Sequence, residues 1–161
     1  LELCGAPAPA EPGLEGVSIA PKLLGGPAPA PRPFAFHFPH YTNQGSRPAG
    51  SLREGDWKLI ENYEDGRLEL YDLAADVGER NDLAAAQPDR ARAMRAKLDA
   101  WRTSVGAQIN TPNPDYDPAL AAPIYRDFDS SAVRPLATAA ETATIFEGWR
   151  KLMNAAVAGR R

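Results

Sequence analysis

The chain reads as an α+β fold: a small antiparallel sheet of about four strands packed against one amphipathic helix, with an extended Pro-rich N-terminal arm and a C-terminal helix. Three observations predict this. Residues 57 to 63 and 67 to 71 alternate in polarity on either side of Glu64-Asp65-Gly66, whose Asp-Gly supplies the positive-φ positions of a tight hairpin. Ala91, Met94, Leu98, Trp101 and Val105 recur at steps of three and four, drawing one apolar stripe along a helix over 88 to 105. Pro-Ala repeats at 6 to 9 and 26 to 31 remove backbone donors and favour extended backbone.

With 161 residues, 43% hydrophobic and 24% charged, the chain is long enough for one modest core, and nothing argues for two independent domains. It begins at Leu1 rather than Met, as expected of a fragment or a processed product. A net charge of -3 and a pI near 5.4 argue against a nucleic-acid partner. No apolar run approaches membrane-spanning length, so no membrane partner is expected. Cys4 is alone, which excludes an internal disulfide framework and a cysteine-based zinc site. The two histidines lack a third ligand at metal spacing.

In chain order, Leu1 to Gly5 looks like the last turn of a helix stopped by Gly5, and residues 16 to 25 like a loop with one helical turn. Strands are predicted near 33 to 38, 49 to 53, 57 to 62 and 67 to 71. On the third, Trp57, Leu59, Glu61 and Tyr63 share one face, and Lys58, Ile60 and Asn62 the other. Such a sheet needs a cover. The helix over 88 to 105 supplies it, with Pro88 in its first turn and Gly106 at its stop. Each large apolar side chain buried there contributes about 1.5–3 kcal/mol, so Leu98 and Trp101 should outweigh any charge on the helix. Arg90, Arg92, Arg95, Lys97 and Arg102 are expected mostly on its solvated outer surface. Pro112, Pro114, Pro118, Pro123 and Pro135 predict an extended surface strap over 106 to 135. Ile145, Trp149, Leu152, Met153 and Ala156 predict a second amphipathic helix over 136 to 158.

Both histidines lie in His37-Phe38-Pro39-His40-Tyr41, delivered by Phe34-Ala35-Phe36 and followed by the polar loop Thr42 to Pro48. A strand giving way to a loop is a common placement for binding groups. His40, His37, Asn43, Gln44 and Arg47 are therefore the candidate binding residues. For His37 the competing reading is a core histidine satisfied by a backbone carbonyl. Trp57 and Tyr71 are read as sheet packing rather than sugar-stacking platforms.

The His37 to Tyr41 run, Gly55-Asp56-Trp57-Lys58-Leu59, Leu70-Tyr71-Asp72-Leu73 and Gly78-Glu79-Arg80-Asn81-Asp82-Leu83 together resemble the C-terminal region of the sulfatase family. The resemblance is to the arylsulfatase A-like, formylglycine-dependent group of the alkaline phosphatase-like superfamily, and it spans about residues 1 to 118. It implies that 1–32 are the tail end of a catalytic domain and a connector, and 33–118 a sulfatase C-terminal subdomain. Residues 119–161, a strap and a C-terminal helix, carry no family assignment. The implied parent hydrolyses aryl or carbohydrate sulfates with a formylglycine, made from Cys- or Ser-x-Pro-x-Arg, beside a calcium ion.

That motif is absent here: Cys4-Gly5-Ala6-Pro7 has its proline one place late, and Ser46-Arg47-Pro48-Ala49-Gly50 ends in glycine. No catalytic residue and no metal ligand is therefore expected in this chain, and alone it is expected to be inactive. The resemblance implies that His40, His37, Asn43, Gln44 and Arg47 meet a sulfated small molecule or glycan at the cleft rim. It also implies packing on the protein's own N-terminal catalytic domain and a periplasmic or extracellular location. Two other readings stand: a free-standing carbohydrate-binding or interaction module, and the small domain of a related phosphoester or phosphonate hydrolase.

Overall fold

The computed structural model describes residues 2–6, 16–42, 45–112, 114–128 and 133–158, with side chains described as far as residue 155. After a 3-10 turn at Glu2–Cys4 and a single turn α1 (Ala20–Leu23) come four strands: β1 (Phe34–Phe38), β2 (Ala49–Glu54), β3 (Trp57–Asn62) and β4 (Leu68–Asp72). They form one antiparallel sheet in the order β1-β2-β3-β4. The β3–β4 turn closes as its Asp-Gly pair predicts. Gly66 takes φ 69°, its N–H donates to Asn62 O at 2.9 Å, and Asn62 N–H donates to Arg67 O at 2.9 Å.

Helix α2 (Pro88–Ser104) lies across one face of this sheet. The register sets Ala35, Leu52, Leu59 and Leu70 side by side across all four strands, under Ala91, Met94 and Leu98 of α2. Leu59, Leu70 and Leu98 are fully buried, each contributing about 1.5–3 kcal/mol. Trp101 packs half-buried at the margin of this cluster. Val105 departs from the predicted stripe: it is the C-cap and is exposed, because the helix ends one residue earlier. The β4 edge is occupied by the following loop, where Asp82 Oδ1 accepts from Leu70 N–H at 2.9 Å and Leu83 N–H donates to Leu70 O at 2.7 Å. Phe34, Phe36 and Phe38 stand exposed on the face of β1 opposite α2.

Of the basic residues of α2, Arg90, Arg92, Arg95 and Lys97 are exposed on the outer surface as expected, while Arg102 is half-buried, and several of them reach acids on the sheet. Arg95 Nε donates to Glu61 Oε1 at 2.9 Å, and the Arg102 guanidinium lies 2.9 Å from Glu61 Oε2 as an ion pair without hydrogen-bond angles. Arg90 sits over the Trp57 ring at 4.0 Å, and Lys97 Nζ donates to both oxygens of Glu54 at 2.6 and 2.7 Å. Within the helix Arg92 pairs with Asp89, and Arg95 and Arg102 with Asp99. Long aliphatic stems let these heads reach past the helix edge to acids on the sheet.

The strap also differs from expectation. Pro118–Ala121 form α3, which continues as a π-helical turn at Ala122–Arg126. Asp117 Oδ1 accepts from Ala119 N–H at 2.8 Å, so Asp117 caps this helix and Pro118 fills its first position. The turn buries Ile124 against Trp149 and Met153 of α4 (Ala139–Ala158), making a second small cluster with Tyr125 and Phe128 at its margin. Trp149 Nε1 donates to Ile124 O at 2.9 Å. Helix α4 starts at a capping box: Glu141 N–H donates to Thr138 Oγ1 at 3.2 Å, and Thr138 N–H donates to Glu141 Oε2 at 2.9 Å.

Candidate functional site

His37 is on the helix-facing side of β1, opposite Gly50 of β2. Both ring nitrogens are engaged, Nδ1 with Tyr63 Oη at 2.7 Å and Nε2 with Gln108 O at 2.7 Å. A carbonyl only accepts, so Nε2 carries a proton, and in the neutral ring Nδ1 accepts from the tyrosine hydroxyl. Tyr63 reaches His37 because Gly50 has no side chain: a Cβ there would lie 2.1 Å from Tyr63 Oη. Arg102 stands over the Tyr63 ring at 5.0 Å. Burial raises the Tyr63 pKa against the opposing pull of Arg102.

His40 is exposed on the loop beyond β1, its ring meeting Phe38 edge-on at 5.6 Å. Tyr41 follows. Its hydroxyl donates to Glu64 Oε1 at 2.6 Å, and its ring lies 4.7 Å from that of Tyr125. Burial, then the bond to Glu64, raises its pKa well above the ordinary tyrosine value. Arg47 Nη1 is 3.8 Å from Glu64 Oε2. Asn110 Nδ2 donates to Pro39 O at 2.9 Å, tying the segment after α2 to the loop after β1.

These contacts frame a cleft of about 390 Å³, lined by Tyr41, Pro48, Tyr63, Glu64, Asn110 and Tyr116 among others. A larger groove of about 530 Å³ lies along Trp57, Arg90, Met94 and Lys97, away from both histidines. Its cations are the ones already committed to Trp57 and Glu54.

Of the residues singled out from the sequence, Arg47 is brought to the border of the tyrosine-lined cleft and His37 to the rear of Tyr63. His40 stands on the neighbouring exposed loop, and Asn43 and Gln44 lie outside the described residues. Tyr63, Glu64, Asn110 and Tyr116 carry no binding pattern in the sequence. Their common signal is faint: each sits in or beside a turn or proline-rich segment. Among the described residues, no three His, Cys, Asp or Glu side chains gather as a metal site. Among the described residues, no helix is long and apolar enough to cross a membrane.

No family model matches the chain. A curated protein named Sulfatase from Formosa agariphila is 38% identical over 76 residues, covering 41% of this chain and 14% of that protein. In three dimensions the chain is similar to a 2-O GAG sulfatase, at 28% identity and a TM-score of 0.56, over 73% of this chain and 26% of that one. A candidate sulfatase from Bacteroides thetaiotaomicron gives 27% identity and a TM-score of 0.52 over 70% and 25% of the two chains. A structure in complex with its substrate D-glucosamine-2-N,6-O-disulfate shares the fold, with 24% identity and a TM-score of 0.53 over 71% and 24%. The chain thus spans about a quarter or less of the length of these relatives. In sequence and in fold it resembles the sulfatases, and its partial span of each relative fits a C-terminal sulfatase region.

Proposed function

We propose that this chain is the C-terminal portion of a sulfatase that hydrolyses aryl or carbohydrate sulfate esters, lending the enzyme structural support and part of the rim of its substrate cleft. The observation that carries the reading is the match over 73% of this chain to a 2-O GAG sulfatase of which it covers only 26%. A sulfated glycan is accordingly the favoured substrate class. The reading assigns the formylglycine nucleophile and calcium to the rest of the protein, since this chain has neither the Cys- or Ser-x-Pro-x-Arg motif nor, among the described residues, a metal-ligand cluster. It carries with it a periplasmic or extracellular location.

At the rim, His40 is the donor to substrate oxygen, with Arg47 and the neighbouring Asn43 and Gln44 as further polar groups. His37 supports them from behind, because both its nitrogens already have partners. The exposed Phe34, Phe36 and Phe38 suit the packing surface against the catalytic domain: three adjacent aromatic rings on one sheet face form an apolar patch that water disfavours.

The reading frame upstream of Leu1 tests this. It should continue without a stop and contain Cys- or Ser-x-Pro-x-Arg. A frame that opens at a start codon immediately before Leu1, with no such motif, would overturn the proposal.

A further inference from the structure

We infer that the cleft walled by Tyr41, Tyr63 and Tyr116 binds an uncharged pyranose, a sugar unit bearing neither sulfate nor carboxylate. The inference rests on the glycan reading above and specifies which kind of unit this chain holds. The cleft lies between the loop after β1, the β3–β4 turn and the segment after α2, three parts distant in sequence, and Asn110 fastens two of them together. Its volume of about 390 Å³ falls within the roughly 300–1,000 Å³ range of small-molecule sites.

Its chemistry favours sugar. Phenol rings are flat and apolar on their faces and polar at one edge, so they can cover the C–H face of a pyranose while their hydroxyls meet its hydroxyls. Tyr41 and Tyr116 keep 42% and 49% of their surface exposed, ring area that the core does not use. Asn110 and Glu64 supply amide and carboxylate partners for ring hydroxyls. Tyr41 occupies Glu64 Oε1, while Oε2 has only the longer Arg47 ion pair at 3.8 Å.

The charge pattern narrows the choice of sugar. Glu64 is a carboxylate on the cleft wall, and among the described residues no lysine or arginine lines the cleft, the neighbouring Arg47 being paired with Glu64. A sulfated or uronic unit would meet the Glu64 carboxylate and find there only Arg47, a cation already paired with Glu64, which is discrimination by repulsion. An uncharged unit meets no such barrier. Within a glycan chain, the cleft therefore holds a unit other than the sulfated one.

The test is a titration of the 15N-labelled 161-residue chain, followed by NMR, with an uncharged N-acetylglucosamine tetramer and, separately, a sulfated heparin tetrasaccharide. The uncharged tetramer should shift the amides of Tyr41, Tyr63, Asn110 and Tyr116, and bind more tightly than the sulfated one. Tyr116→Ala should weaken it by about tenfold at unchanged melting temperature. Glu64→Gln should narrow the gap between the two ligands. Tighter binding of the heparin tetrasaccharide, shifts confined to other surfaces, or no shifts with this tetramer and with a neutral galactose tetramer would each overturn the inference. No shifts together with an upstream Cys- or Ser-x-Pro-x-Arg motif would remove the sugar cleft alone. Shifts at these tyrosines without the motif would instead remove the sulfatase reading and leave a sugar-binding module.

Discussion

Gly50 and Tyr63 are fitted to one another: the tyrosine hydroxyl occupies the place where a Cβ on Gly50 would sit, 2.1 Å away, and from there bonds His37 Nδ1. Gly50→Ala must therefore push Tyr63 aside or open β2 from it. Overpacking of this kind costs about 1–3 kcal/mol, and it also leaves His37 Nδ1 without its partner. Thermal unfolding should show a lowered melting temperature. A Gly50→Ala protein as stable as the parent would mean that Tyr63 does not pass over this position.

Glu61 should matter far more than the other acid paired with α2. It is 4% exposed and faces Arg95 and Arg102, whereas Glu54 meets Lys97 at the surface. Glu61→Gln keeps the shape and removes the charge, so the expected loss is about 1.5–3 kcal/mol, the range for bonds to a charged group. Lys97→Ala should cost about 0.2–1 kcal/mol, falling further in salt. Denaturant titration of both variants at two salt concentrations decides between this ranking and its reverse.

Periodicity made the sheet and α2 legible because each has a simple rule of burial. The predicted strand at 57 to 62 is β3, and the predicted helix from Pro88 ends within one residue of its predicted stop. Contacts that join distant segments left no such trace. That Arg95 and Arg102 turn to Glu61 depends on where α2 crosses the sheet, and a count of charges along one helix does not contain that. The helix at Pro118 was hidden by its prolines, although Asp117-Pro118 is also a cap followed by a first-position proline. For the site, the strand-to-loop position of His37 and His40 could be read directly. The cleft around Tyr41, Tyr63 and Tyr116 could not, since it exists only where three loops meet.

Alkali should weaken the fold from about pH 10 upward. Burial raises the pKa of Tyr41, Tyr63 and Tyr71, and Glu64 and Glu69 raise Tyr41 and Tyr71 further through hydrogen bonds. Unfolded tyrosines ionise near pH 10, so above that value the folded chain holds more protons than the unfolded one. The stability this provides is complete below pH 10 and is lost as pH rises toward the folded values. Ultraviolet titration should show delayed ionisation of part of the tyrosine absorbance, recovered on unfolding; all tyrosines titrating together near pH 10 would contradict it.

The two histidines should separate in the longer enzyme. His40→Ala should cost about 0.5–1.5 kcal/mol in kcat/KM if it donates a neutral hydrogen bond, and about 1.5–3 kcal/mol if a charged one, with the melting temperature unchanged. The loss should shrink for a small aryl sulfate that does not reach the rim. His37→Ala removes the bonds to Tyr63 and Gln108 and should lower the melting temperature instead. Equal kinetic losses for His40→Ala on small and extended substrates would exclude the rim role.

In the proposed function this chain supports and borders a sulfatase site whose nucleophile it does not contain. The most direct test of this role is the rate of release of a chromogenic aryl sulfate, with calcium present, by residues 1 to 161 alone and by the longer protein. The 161-residue chain should give the rate of the buffer blank, and the longer protein should show turnover that disappears when the upstream Cys or Ser of the x-Pro-x-Arg motif is replaced by Ala. Turnover by residues 1 to 161 alone, or turnover by the longer protein that survives that replacement, would contradict this role.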